Sequence, residues 1–102
     1  MDEPALRENI LSYLREHQRD LKDRFSLVRI AVIGSVARGD YTDESDVDII
    51  VGFQPETDKI YNRKQQLRSE LEAVFHRPVQ IASEKYLKPY YRSEILREAV
   101  YV

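Results

Sequence analysis

An α/β fold, with a small sheet flanked by helices, is what the 102-residue sequence predicts. Three observations predict it. Residues 28–33, 46–53 and 79–82 are short, largely apolar runs of strand length, bounded by glycine, proline or polar turns. Leucine and isoleucine recur at helical spacing before and between those runs. Gly34 directly follows the first run, so strand, helix and strand succeed one another within some twenty residues.

Each element follows from local chemistry. Asp2 as an N-cap, with Glu3 and Pro4 in the first turn, starts a helix expected over residues 3–23, and Leu6, Ile10, Leu14 and Leu21 form its apolar face. Residues 28–33 are apolar apart from Arg29, as in a strand covered on both faces, which makes this strand central in the sheet. Residues 35–38 read as a short helix, 39–45 as a polar turn, and 46–53 as the second strand. Pro55 and Thr57 mark a loop and cap before a helix with the stripe Ile60, Leu67, Leu71 and Val74, ending at His76 and Pro78. The third strand is expected at 79–82. Beyond it, Ser83 caps a short helical segment, Pro89 interrupts it, and Ser93 caps a last helix carrying Ile95, Leu96, Ala99 and Val100.

Composition narrows the function classes. One domain spanning 1–102 is expected, since a chain of this size supports a single modest core. With no Cys and only His17 and His76, neither a disulfide framework nor a thiolate or imidazole zinc cluster is available. Sixteen basic and eighteen acidic residues leave a net charge of -2, which argues against a broad footprint on a nucleic-acid backbone. Nucleic acid is therefore not an expected partner. The segment MDEPALRENI is acidic and lacks a long apolar run, and no stretch approaches a membrane span, so a cytoplasmic chain with no membrane partner is expected.

The chemistry is concentrated between Gly34 and Asp48. Gly34-Ser35 is followed by ten residues and then by Asp46-Val47-Asp48. Because side chains alternate along a strand, Asp46 and Asp48 leave one face while Val47, Ile49 and Val51 leave the other. Two adjacent carboxylates repel unless a positive charge sits between them. Mg²⁺ suits such a pair, because it prefers carboxylate oxygens, retains waters and accepts substrate phosphates. Upstream, Gly34 lets the backbone approach a phosphate, while Ser35 opens a helix whose N–H groups and hydroxyl can donate to phosphate oxygens. Arg38 adds a cation one turn later. A metal-bound nucleoside triphosphate satisfies both halves of this segment. Asp40, Asp43 and Glu44 read as turn and capping residues, not ligands.

The stretch GSVARGDYTDESDVDIIV resembles the signature of the DNA polymerase β-like nucleotidyltransferases. Within them the chain looks like the minimal nucleotidyltransferases, the antitoxin partners of HEPN-domain toxins, and its terminal ILREAVYV is similar to the endings of these proteins. The resemblance implies a polymerase β-like core with a small mixed sheet. It implies that Gly34 and Ser35 contact the triphosphate, that Arg38 supports the loop or the phosphates, and that Asp46 and Asp48 ligate magnesium. A third carboxylate normally stands on the later strand. Aligning Pro78-Val79-Gln80-Ile81 with the usual valine-aspartate-leucine places Gln80 in that position. Glutamine can orient a hydroxyl, but it cannot act as a general base and is a weaker metal ligand. The implied reaction moves AMP from ATP to a hydroxyl, a tyrosine, of a HEPN-type toxin.

Two other functions compete with that expectation. Gln80 favours an antitoxin that neutralises its toxin by direct binding and keeps the nucleotide site as a relic or sensor. Transfer to a small molecule is weaker, because no second domain is present to enclose such a substrate. Glu84, four residues after Gln80, is a candidate substitute acid. The alternation of basic and aromatic residues in Lys85-Tyr86-Leu87-Lys88-Pro89-Tyr90-Tyr91-Arg92 reads as packing or a protein interface in preference to an RNA platform.

Overall fold

The structure, a computed structural model, describes residues 6–102. Helix α1 (Leu6–Phe25) leads into strand β1 (Leu27–Ile33), which passes without a loop into helix α2 (Gly34–Arg38). Strand β2 (Val47–Phe53), helix α3 (Ile60–Phe75) and strand β3 (Val79–Ser83) follow. A 3₁₀ turn at Glu84–Tyr86, helix α4 (Pro89–Glu98) and the short strand β4 (Val100–Tyr101) complete the chain. The four strands form a mixed sheet in the order β3-β2-β1-β4, in which β1 is antiparallel to β2 and β4, and β2 is parallel to β3. The central position expected for the 28–33 strand is observed, and Ile30, Ala31 and Val32 are all buried.

One sheet face carries the core. Ile30 and Val32 of β1 and Val47, Ile49 and Val51 of β2 pack with Ile10, Leu14 and Leu21 of α1 and with Leu67 and Leu71 of α3. The first helix thus buries the stripe expected of it, with Leu6 at the edge and Leu11 and Phe25 added. Truncating a buried leucine such as Leu14 to alanine typically costs about 2–5 kcal/mol, a large share of a small domain's stability. No helix among the described residues is long and apolar enough to cross a membrane.

Four local expectations are corrected. The helix after the second strand begins at Ile60 behind Lys59 in a left-handed conformation, while the Thr57 hydroxyl donates to the Gln54 carbonyl in the preceding turn and does not cap. In that helix Val74 is exposed, and Phe75 takes its place by packing edge-on against Tyr13, since Leu67, Leu71 and Phe75 repeat at four-residue spacing. Pro89 starts α4 at its first helical position, where its missing N–H costs nothing, so Ser93 lies inside the helix and not at its cap. Val100 leaves the helix for β4 and pairs with Val32. Cap residues Asp2 and Pro4 lie outside the described residues.

Glu84 ties the sheet to the C-terminal segment. Its carboxylate accepts from Arg29 Nε at 3.0 Å and Nη2 at 2.8 Å and from the Tyr101 hydroxyl at 3.4 Å, while Arg92 Nη1 donates to its carbonyl at 2.7 Å. This ion pair passes over Gly52, where a Cβ would lie 3.0 Å from Glu84 Oε1 and 3.2 Å from Arg29 Nη2. The Arg29 guanidinium holds the Glu84 carboxyl below its ordinary value, against the opposing effect of burial. A depressed folded-state value stabilises the fold above the unfolded value and loses that contribution as pH falls through the folded one. Glu84→Gln should therefore lower the melting temperature near pH 7 and flatten its decline in acid; parallel acid limbs for the two proteins would contradict this role.

Candidate functional site

The site begins where β1 becomes α2. Gly34 has φ of 74°, and a Cβ there would come 2.5 Å from Asp48 Oδ2. Register explains the approach, because Ile33 pairs with Asp48 across β1 and β2 and brings the glycine backbone over the carboxylate. Only glycine meets both demands, a left-handed φ and no side chain toward the strand. Gly39, with φ of 87°, ends α2, and its N–H returns to the carbonyls of Ser35 and Val36.

Hydrogen bonds hold the loop from Gly39 to Asp46. Asp40 N–H donates to the Ser35 carbonyl, the Thr42 N–H to Ser45 Oγ at 2.8 Å, and Arg77 Nη1 to the Ser45 carbonyl at 3.0 Å. Val47 N–H then bonds the Pro78 carbonyl at 2.9 Å, which starts the parallel pairing of β2 with β3. Asp46 emerges where that pairing begins. Asp40 serves the turn through Arg38, and the Glu44 N–H donates to the Thr42 hydroxyl.

Asp46, Asp48 and Gln80 come together. Asp48 and Gln80 are register partners, and Gln80 Nε2 lies 3.5 Å from Asp46 Oδ2, a long hydrogen bond. Burial first, and the charge of Asp46 second, push the Asp48 carboxyl above its ordinary value, while Arg38 partly offsets them. Arg38 thus balances the charge at Asp48 only in part. The carboxylate oxygens suit a hard dication, and Asp46 and Asp48 are the residues that could hold one. Among the described residues no cluster of three His, Cys, Asp or Glu could hold a metal unaided, so phosphate and water oxygens would complete the coordination of Mg²⁺.

Glu84 is not available as a substitute acid, because Arg29 grips its carboxylate on both oxygens. Arg38 is also engaged: Nε donates to Asp40 Oδ2 at 3.1 Å and Nη1 to Glu98 Oε1 at 3.1 Å. Sequence reasoning missed Glu98 and Tyr101. Both fall in ILREAVYV, whose resemblance assigned them no contact, and Glu98 lies 60 residues from Arg38. A cavity of about 370 Å³ lined by Arg29, Gly52, Phe53, Glu84, Tyr86 and Arg92 lies toward the far end of β2, and neither aspartate lines it.

The mixed sheet, the glycine turn over an aspartate strand and the flanking helices are those of a polymerase β-like nucleotidyltransferase core. The chain belongs to the nucleotidyltransferase domain family, which matches residues 14–102. A Thermococcus cleftensis relative named protein adenylyltransferase MntA is 37% identical over 97 residues, covering 93% of this chain and 94% of its own. A solved candidate minimal nucleotidyltransferase aligns with a TM-score of 0.77 at 34% identity, over 98% of both chains. A toxin-antitoxin crystal structure containing AMP-PNP shares the fold at a TM-score of 0.67 and 18% identity, over 84% of this chain and 69% of its own.

Gly34→Ala tests the close approach. A non-glycine residue in left-handed backbone costs about 1–3 kcal/mol, and the new methyl group must displace the Asp48 carboxylate. The variant should melt lower and bind nucleotide more weakly than Asp43→Ala, a loop control. Nucleotide affinity equal to wild type would show that Asp48 does not depend on the glycine.

Proposed function

We propose that the protein is a nucleotidyltransferase that moves AMP from ATP onto a hydroxyl of a protein partner, a tyrosine of a HEPN-type toxin, and so acts as an antitoxin. The observation that carries this reading is the aspartate pair facing the Gly34 turn, joined to 37% identity with a protein named as an adenylyltransferase. The toxin-antitoxin structure with AMP-PNP supports a nucleotide-using antitoxin on this fold. Asp46 and Asp48 would hold Mg²⁺, which when bound neutralises phosphate charge and polarises the α-phosphoryl group.

The chain's own residues supply binding and orientation. Gly34 and Ser35 bring backbone N–H groups and a hydroxyl to the triphosphate, and Arg38 adds positive charge beside it. The acceptor oxygen bonds to the α-phosphorus as the bond to the β-phosphate bridging oxygen breaks, and pyrophosphate leaves. Gln80 can hydrogen-bond the acceptor hydroxyl, but it cannot receive its proton, which passes to water. Slow chemistry follows from that difference. The acceptor's docking surface is the C-terminal one: Tyr86, Tyr90 and Tyr91 are exposed, α4 has no buried residue, and Lys85, Lys88, Arg92 and Arg97 occur in the same segment of sequence.

Gln80 also favours a second reading, in which the protein neutralises the toxin by direct binding and transfers little or nothing. Transfer of label from α-labelled ATP to the co-expressed partner separates the two. The enzyme reading predicts slow transfer by wild type, none by Asp46→Asn, and a gain with Gln80→Asp, since a positioned general base contributes about 10²–10⁴-fold. Neutralisation of the toxin by every variant without label transfer would instead establish occlusion.

A further inference from the structure

Arg38 ends α2 one turn beyond Gly34, and two carboxylates hold its guanidinium by Nε and Nη1. Nη2 takes no protein partner among the described residues. Helix α2, which carries Arg38, begins against the Asp48 carboxylate and packs on β1 and β2. One holder of Arg38, Asp40, belongs to the same turn. The other, Glu98, comes from the end of α4, where the chain enters β4 and pairs with β1.

A guanidinium held at Nε by one carboxylate and at Nη1 by another keeps its full charge, is fixed in its plane from both sides, and leaves Nη2 to donate elsewhere. Freed from those contacts, the side chain must be ordered again each time a ligand binds, which weakens affinity. The Arg38–Glu98 pair is substantially exposed, with side chains 47% and 29% accessible, so it contributes little to folding stability. Its effect is felt instead at whatever Arg38 faces. No residue of α4 joins the main apolar cluster, yet α4 contacts α2 and β1, so the ion pair helps fix how this helix meets the site.

We propose that Glu98 is a positioning residue for the nucleotide site, holding Arg38 so that its unclaimed Nη2 is presented to the triphosphate. The inference rests on the nucleotide-site reading given above. It also gives the C-terminal helix a part in nucleotide binding, although Glu98 lies 60 residues from Arg38.

Calorimetric titration of ATP with Mg²⁺ into the full chain and its variants tests this, with thermal melts run in parallel. Glu98→Ala should weaken binding about three- to tenfold with little change in melting temperature. Glu98→Gln retains an acceptor oxygen and should restore most of the affinity. In an Arg38→Gln background, Glu98→Ala should add nothing further. Unchanged affinity in Glu98→Ala, tighter binding, or an equal loss when Arg38 is already removed would each overturn the proposal. If Glu98→Ala does not fold, Glu98→Met, which keeps the stem but no acceptor oxygen, replaces it in the two backgrounds: no loss, or a loss that persists without Arg38, overturns the proposal, and a loss confined to chains with Arg38 supports it. Wild type that binds no ATP would bring down the nucleotide-site reading and this proposal with it, whereas normal wild-type binding with any contrary result removes the proposal alone.

Discussion

The approach of the Gly34 backbone to the Asp48 carboxylate is the constraint around which the structure is arranged. It requires β1 and β2 to be adjacent and antiparallel in one register, because a slip of one residue would turn Asp48 to the other sheet face. Valine and isoleucine on the opposite face hold that register through burial between α1 and α3. The site is thus positioned by the core behind it. A carboxylate partly withdrawn from water beside a second carboxylate is only partly balanced by Arg38, and the dication proposed to bind there with the triphosphate would complete that balance.

The C-terminal segment completes the architecture through charged contacts more than apolar ones. Arg29, Glu84, Arg92 and Tyr101 join the sheet to the end of the chain, while Arg38 and Glu98 join the motif helix to α4. These contacts leave α4 lightly buried and its tyrosines facing outward. The helix thus keeps an exposed face while staying attached to the glycine-turn motif. The same arrangement removes Glu84 from consideration as a base, since a carboxylate committed to a guanidinium on both oxygens cannot accept a proton at ordinary pH.

Much of the fold was legible in the sequence, for a physical reason. Burial on both faces writes the continuous apolar run Ile30, Ala31 and Val32, and one-sided helical burial writes Ile10, Leu14 and Leu21. The association of Asp46 and Asp48 with Gly34 was legible because alternation and glycine geometry are local rules, and Gln80 fell beside them because parallel pairing starts at Val47 and Val79. The tail was less so. Pro89 reads equally as a helix breaker or a first helical residue, and a two-residue strand has too little pattern to separate Val100 from the preceding helix. Glu98 and Tyr101 gain their neighbours only through tertiary contact. No window of sequence holds that information.

The central claim is that the aspartate pair and the glycine turn form one metal-dependent triphosphate site. Titration calorimetry of the full chain with ATP, first with Mg²⁺ and then with a chelator, tests it most directly, with the Asp46→Asn, Asp48→Asn double variant as comparison. The account predicts binding that requires the cation and is lost in the double variant. Equal affinity with and without Mg²⁺, or undiminished Mg²⁺-dependent binding by the double variant, would contradict it.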